Sequence, residues 1–358
     1  MQRGFASAVV FICFVFVAFS PSSFAQSDLS FSRNARTFET QQGSLITKAL
    51  AFACLSLTVV PDGLPCNPAF TPFEKEPHFD FEGLISNGYP TMEKMRLLLS
   101  GNLNQDLVQA LFGGDPVLQI EGNAELDFHS RYFNARYTPA SVKFFSVVRN
   151  EANPLIDVYA VDEQNFEFQS GYEFLPGLFA GAQVRAVDRK YVRKQVFLLD
   201  LATDEGRAQL QPQRQSAVYF EPGVSYVFNL PWKPRISAMI VNLGIQNGNF
   251  SDMNEPIEGQ YSIGINPELP WGDLSILLDY RSMNYQESSY TERLRLGMMY
   301  HLGAMYLGGG VDNNGVSGGL FFSLQQLNAG ILYSTTRVPW QSSDFFTQTV
   351  YVEAGWRL

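Results

Sequence analysis

The sequence predicts an all-β membrane protein: an antiparallel transmembrane β-barrel of about 14 strands, or 12 on a stricter count, behind an N-terminal plug containing short helices. Three observations predict it. At the end of the chain Val350, Val352, Ala354, Trp356 and Leu358 alternate with Thr349, Tyr351, Glu353, Gly355 and Arg357, a period of two that gives one apolar and one polar strand face. A strand that is greasy on one side and charged on the other suits a wall between lipid and an aqueous lumen. Charged residues are only 17% of the chain while aromatics reach 14%, an unusual balance for a soluble enzyme. After Gln26, no apolar stretch is long enough to cross a bilayer as a helix.

Taken in order, residues 1–25 read as a signal peptide. Arg3 supplies charge, Val9 to Phe19 an apolar run too short to span, and Ser23-Phe24-Ala25 a cleavage pattern before Gln26. Export and the closing strand together predict the cell outer membrane. Cys13 lies within the apolar run without the small residue that precedes a lipidated cysteine.

Residues 26–115 read as a plug or cap. Leu45 to Val60 is mostly apolar and is broken by Pro61-Asp62-Gly63 and Leu64-Pro65, after which prolines 68, 72 and 77 keep the pattern irregular. Thr91 to Ser100 predicts a helix with Met92, Met95, Leu98 and Leu99 on one face, and Asn104 to Phe112 a second, stopped by Gly113-Gly114. In an oxidising compartment Cys54 and Cys66 are either a disulfide, worth roughly 3 kcal/mol for so short a loop, or two buried thiols.

From 116 to 358 the pattern becomes repeated alternating strands. They are Val117–His129, Ser141–Arg149, Leu155–Val161, Asn165–Tyr172, Leu178–Val187, Ala217–Phe228, Arg235–Gly244 and Gln260–Asn266, followed by Asp273–Ser282, Arg293–Tyr300, Ala304–Val311, Val316–Leu324, Leu327–Thr335 and Thr347–Leu358. With the last strand descending into the periplasm, backward counting places short connections such as Phe174–Gly177 and Gln325–Gln326 inside. It places longer ones such as Asp188–Ser216 and Ile245–Gly259 outside, the asymmetry of outer-membrane barrels. Asn313-Asn314-Gly315, a tight-hairpin signal, is the short exception among the outer connections. Leu175-Pro176-Gly177, Leu230-Pro231-Trp232 and Leu269-Pro270-Trp271 all fall at inner turns, so Trp232, Trp271 and Trp356 share one interface.

Alternation also sorts the charges. Asp279, Arg281, Arg293, Arg295, Glu353 and Arg357 face the lumen, as do Glu121, Glu125 and Asp127. They are read either as struts that hold the plug or as a polar path for a substrate. The basic cluster Arg189, Lys190, Arg193 and Lys194 opens the longest outer loop, where it either meets lipopolysaccharide or faces solvent. With 35 acidic against 25 basic residues, a nucleic-acid partner is excluded. No Gly-x-Ser-x-Gly elbow, His-Glu-x-x-His or phosphate loop is present, and His78, His129 and His301 match no nucleophile and no cysteine at ligand spacing. No enzyme, cofactor or metal is expected.

Short motifs carry a family resemblance. Arg235-Ile-Ser-Ala-Met-Ile-Val-Asn-Leu-Gly244, Leu278-Asp279-Tyr280, Arg293-Leu-Arg-Leu-Gly297, Gly308-Gly-Gly310 and Gly318-Gly-Leu320, with Asn67-Pro68-Ala69 in the plug, resemble the superfamily of the long-chain fatty acid transporter (FadL), the TraF-like barrels and the PorV-type secretion barrels. Phe70 departs from that family's glycine, and 71–115 matches none of its motifs. The resemblance implies a barrel that admits small hydrophobic molecules past a plug, with the gate at Asn67, Pro68, Ala69 and Phe70, an apolar lining from Leu45 to Val60 and a lateral exit. The alternative it implies is a non-transporting barrel that docks partner proteins for secretion, motility or surface attachment. Expected partners are outer-membrane lipid and lipopolysaccharide, the barrel-assembly machinery, and a small hydrophobic ligand or partner outer-membrane or periplasmic proteins.

Overall fold

The computed structural model describes residues 43–74, 76–87, 91–112, 117–148, 154–247, 257–282, 293–313, 315–340 and 343–358. The expected signal peptide and the start of the plug lie outside the described residues, as does the side chain of Trp340.

The strands are β1 (His78–Ser86), β2 (Val117–His129), β3 (Phe133–Val148), β4 (Leu155–Leu175), β5 (Leu178–Phe197), β6 (Gln213–Val227), β7 (Arg235–Val241) and β8 (Leu243–Asn247). They continue with β9 (Glu258–Ile265), β10 (Glu268–Leu269), β11 (Gly272–Ser282), β12 (Leu294–Leu302), β13 (Met305–Asp312), β14 (Gly315–Ser323), β15 (Leu327–Trp340) and β16 (Ser343–Arg357). These 16 segments form 14 staves, because β7 and β8 are halves of one stave and β10 is a fragment within a turn. Every neighbour is antiparallel. β16 closes onto β1 from Asp80↔Arg357 to Ser86↔Tyr351, and β9 pairs both β7 and β11. Closure satisfies the backbone within the wall, the condition for β-structure in a bilayer.

Outside the wall, Phe79, Phe81, Leu126, Phe166, Phe168, Leu278, Leu296 and Val352 are exposed, while Glu125, Asp127, Asp279 and Glu353 on the opposite face are buried. A charge facing lipid at mid-depth costs roughly 2–4 kcal/mol, which explains the strictness of the sorting. Trp232, Trp271 and Trp356 are exposed at one rim, level with the short turns. The molecule is an integral barrel of the outer-membrane type.

Two differences from the expected strand list cancel in the count. His78–Ser86, placed with the plug segment 26–115, is a stave, so the barrel begins well before residue 116. Its alternation of inward His78, Asp80, Glu82 and Leu84 with outward Phe79, Phe81 and Ile85 is masked in the sequence by the prolines before it. Conversely, 155–161 and 165–172 are one 21-residue strand, β4. Asp162, Glu163 and Gln164 look like a turn, but they pair with Lys190, Arg189 and Asp188 where the strand leaves the lipid.

A transmembrane strand needs about 9–11 residues. At 16, 21 and 20 residues, β3, β4 and β5 rise well past the bilayer. About half of the expected loop 188–216 is therefore strand, and Arg189 sits on β5 facing Glu163 at 3.7 Å. Beyond the lipid, past a polar band of Asp162, Gln164, Asp188 and Lys190, the outward face is largely apolar again, with Ile120, Val142, Phe144, Ile156, Val158, Val192 and Val196. They are covered by helices α2 (Met92–Leu99) and α3 (Gln105–Phe112), with α1 (Leu45–Ala49) being the helix of the plug. Met95, Leu98, Leu99, Leu107, Leu111 and Phe112 make the contact, and Leu201 and Leu210, flanking α4 (Asp204–Ala208), complete it. Asn104 Oδ1 caps α3 at the Leu107 N–H, 2.8 Å away. The helix pair is thus an external buttress, not part of a plug in or under the barrel.

Leu98→Ala removes a fully buried side chain from this interface, a loss of about 2–5 kcal/mol. Limited trypsin digestion of the folded variant is expected to cut at exposed Lys94 or Arg96 while the barrel keeps its fast migration on unboiled gels. A hairpin as resistant as that of the parent protein would contradict the buttress.

Candidate functional site

The plug opens with α1, capped by the Ser44 hydroxyl at the Thr47 N–H and tied by Asp62 Oδ2, which accepts from the Ile46 N–H at 2.7 Å. Burial pushes the Asp62 carboxyl up to about 6, against the opposing pull of its hydrogen bonds and of Arg136. Ala51 and Phe52, both in the left-handed region at φ 50° and 62°, turn the chain back. Cys54 and Cys66 are joined in a disulfide. Asn67 then caps a 3-10 turn, Pro68–Phe73, its Oδ1 accepting from the Ala69 N–H at 3.0 Å. Asn-Pro-Ala is therefore a capping unit: an acceptor side chain, a proline that needs no N–H bond, and the capped N–H. Phe70 is buried, and its ring meets Phe73 edge-on with centroids 5.5 Å apart.

This turn sits on a row of bare backbone. Gly171, Gly181 and Gly223 are paired neighbours on β4, β5 and β6, all facing inward. A Cβ at Gly181 would stand 2.5 Å from the Pro68 carbonyl oxygen, and the other two would strike Pro68 O and Asn67 Oδ1. Across the lumen a Cβ at Gly310, paired with Gly297, would overlap the Leu50–Ala51 peptide. Between these seats Leu45, Ile46, Ala49, Leu50, Ala53 and Leu57 pack against Leu84, Leu277, Met299, Phe321, Leu332 and Tyr351. The apolar run expected to line a pocket is a filled core.

Several lumen charges hold the plug's backbone. Glu353 Oε2 accepts from the Leu45 N–H at 3.2 Å and Asp279 Oδ2 from the Leu55 N–H at 3.0 Å. Arg357 donates to the Pro61 carbonyl at 3.2 Å and, through two nitrogens, to Asp80 at 2.9 Å each. Arg295 lies over the Phe52 ring, and Arg293 donates to the Tyr280 hydroxyl at 3.3 Å. Arg281 belongs to a second feature, a charged chamber of about 210 Å³ beside the plug. Glu125, Arg136, Glu167, Arg185, Glu221 and Glu258 line it with Arg281. Arg136 forks onto Asp127 at 2.6 and 2.8 Å and reaches Glu125 at 3.1 Å, and Lys48 of the plug meets Glu121 at 2.8 Å. Alternation marks Glu121, Glu125 and Asp127 as inward. Arg136 escapes the sequence reading because its strand begins at Phe133, before the bulge between Thr138 and Ser141 that interrupts the period.

The chamber reaches the wall at Val241, Asn242 and Glu258. Asn242, left-handed at φ 62°, breaks the stave into β7 and β8. The break is clamped: the Asn242 N–H donates to Glu221 at 3.1 Å, and Arg185 donates to both Asn242 Oδ1 at 2.9 Å and Glu221 at 3.2 Å. Among the described residues β8 pairs only with β6, since β9 starts opposite Val241. An apolar groove of about 530 Å³, lined by Tyr137, Phe166, Ala186, Val218 and Ile245, runs along the wall at this level.

No protein-family model matches the sequence, and no curated protein matches it. Solved structures do. The Ralstonia pickettii toluene transporter TbuX is 10% identical over 87% of this chain and 97% of its own, with a TM-score of 0.48. The Pseudomonas putida toluene transporter TodX is 10% identical over 90% and 98%, also at 0.48, and the monoaromatic hydrocarbon channel CymD 10% identical over 87% and 96%, at 0.44. All three scores fall below one half, so the architecture rests on the strand pairing.

Gly181→Val places branched carbons where the Pro68 carbonyl lies. The variant is expected to fold as a barrel but to unseat the turn, raising the influx of a small polar antibiotic several-fold over the parent protein in whole cells. Unchanged influx with the variant at normal abundance would contradict the glycine seat.

Proposed function

We propose that this chain is an outer-membrane barrel that admits small, hydrophobic molecules past its N-terminal plug, releasing them sideways through the wall at the Asn242 break. The observation that carries this reading is the meeting of three features at one stave. The chamber arrives there from inside, the strand is broken there with β8 pairing only β6 among the described residues, and an apolar groove lies along the wall there. A hydrophobic solute leaving at that height enters lipid instead of crossing the charged lumen to the periplasm, where each desolvated carboxylate or guanidinium would oppose it. Asn67, Pro68, Ala69 and Phe70 are the gate's hinge region in this reading, because the turn that they build touches the same β4–β6 wall. Asp279, Glu353 and Arg357 act as struts that keep the plug in place between passages.

One observation favours a second reading, a docking barrel that transports nothing. The plug core is filled, and the most elaborate part of the molecule is the buttressed tower of β2–β5 beyond the bilayer.

Asparagine tolerates the left-handed conformation, whereas a β-branched residue there costs roughly 1–2 kcal/mol and favours a continuous strand. Asn242→Val is expected to slow transfer of a hydrophobic fluorophore into proteoliposomes at least several-fold. Asn242→Gly, which keeps the break, should leave transfer within twofold of the parent rate. Equal rates in both variants would remove the lateral path. No transfer by the parent protein would favour docking.

A further inference from the structure

The β1–β2 pairing sets His78 directly opposite His129 at the mouth of the barrel that carries Trp356. Their rings stack with centroids 4.5 Å apart and planes 10° from parallel. His78 Nδ1 lies 2.9 Å from the Glu76 carbonyl oxygen. A carbonyl only accepts, so Nδ1 carries a proton and Nε2 is the nitrogen left to ligate, once it gives up the proton that it shares with Asp80. That Nε2 is 3.4 Å from Asp80 Oδ2, and His129 Nε2 is 3.8 Å from the same oxygen. Asp80 has no proton to offer either ring, because both its oxygens accept from Arg357 at 2.9 Å.

His129 is 3% exposed, and its Nε2 has no hydrogen-bond partner. A buried ring nitrogen left so, stacked beside a second imidazole, asks for a cation. Glu74, just after the plug's last turn, brings a carboxylate to the pair. One ligand atom each from Glu74, His78 and His129 lies within 4.8 Å of the other two. Imidazole nitrogens with a carboxylate are donors that suit zinc and its neighbours in the first transition row. The His78 Nδ1–carbonyl bond is the outer contact that orients metal-bound histidines.

We propose that Glu74, His78 and His129 form a transition-metal site of the zinc type, with water completing the coordination and Asp80 and Arg357 as outer partners. Metal–ligand bonds of about 2.0–2.2 Å require the three donors to draw together on loading. Because Glu74 belongs to the plug and the histidines to the wall, a bound ion would pin the plug's exit to β1 and β2. The site is independent of the cargo and of the seam at Asn242.

The test is calorimetric titration of zinc chloride into the detergent-folded, chelator-stripped full-length barrel, with zinc-edge X-ray absorption on the loaded protein. One equivalent is expected to bind, with nitrogen and oxygen scatterers near 2.0–2.1 Å. Glu74→Ala and His129→Ala should each weaken binding tenfold or more, and His301→Ala should not. Fast migration on unboiled gels reports folding. Glu74 lies outside the strands, so its variant carries the test if His129→Ala does not fold. No saturable binding at micromolar zinc, or equal binding in the Glu74→Ala and His301→Ala variants, would overturn the site.

Discussion

The plug occupies the lumen only because the wall yields its side chains where the plug touches it. Pro68 and Ala69 lie against Gly171 and Gly181, and Leu50 against Gly310, so two stretches of backbone meet with nothing between them. Contacts that close are unforgiving, since one methyl on either seat collides with peptide atoms rather than with a side chain that could swing away. The polar struts depend on this fit. Glu353 and Asp279 can accept from the Leu45 and Leu55 N–H groups only while those N–H groups are held at the wall. A carboxylate left without its partner inside the barrel would be costly.

The same constraint divides labour along the barrel's height. Mid-lumen is filled by the plug, with the charged chamber beside it. At the rim that carries Trp356, Arg357, Asp80 and the histidine pair surround the plug's exit. At the other end the tower inverts the usual logic, since its outward face is apolar but stands beyond the lipid, and α2 and α3 replace the bilayer as its cover. Between its two apolar zones the outward face of β4 and β5 carries a polar band, Asp162 and Gln164 beside Lys190 and Asp188, and the in–out alternation continues unbroken through it.

That continuity also sets what was legible in the sequence. Alternation with its inward charges revealed the barrel, the closing strand and the shared level of Trp232, Trp271 and Trp356. The 14-stave count emerged from compensating errors, β1 being hidden behind Pro72 and Pro77 and β4 being split at its polar middle. Helices α2 and α3 were legible as amphipathic, but a hydrophobic stripe does not say which surface it covers. Of the candidate lumen residues, Glu353, Arg357, Asp279 and Arg295 contact the plug, as alternation plus a plug implied. Arg136, the His78–His129 pair and the clamp of Arg185 and Glu221 on Asn242 arise from strand register and from a break in a stave, which spacing along one chain does not encode.

Hydrogen–deuterium exchange of the folded protein in lipid nanodiscs tests most directly whether the plug is part of the wall's packing. Locked onto its two glycine seats, 45–73 should exchange as slowly as the staves β4–β6 and β12–β13, over hours. Exchange of that segment within seconds, with those staves still protected, would contradict the account.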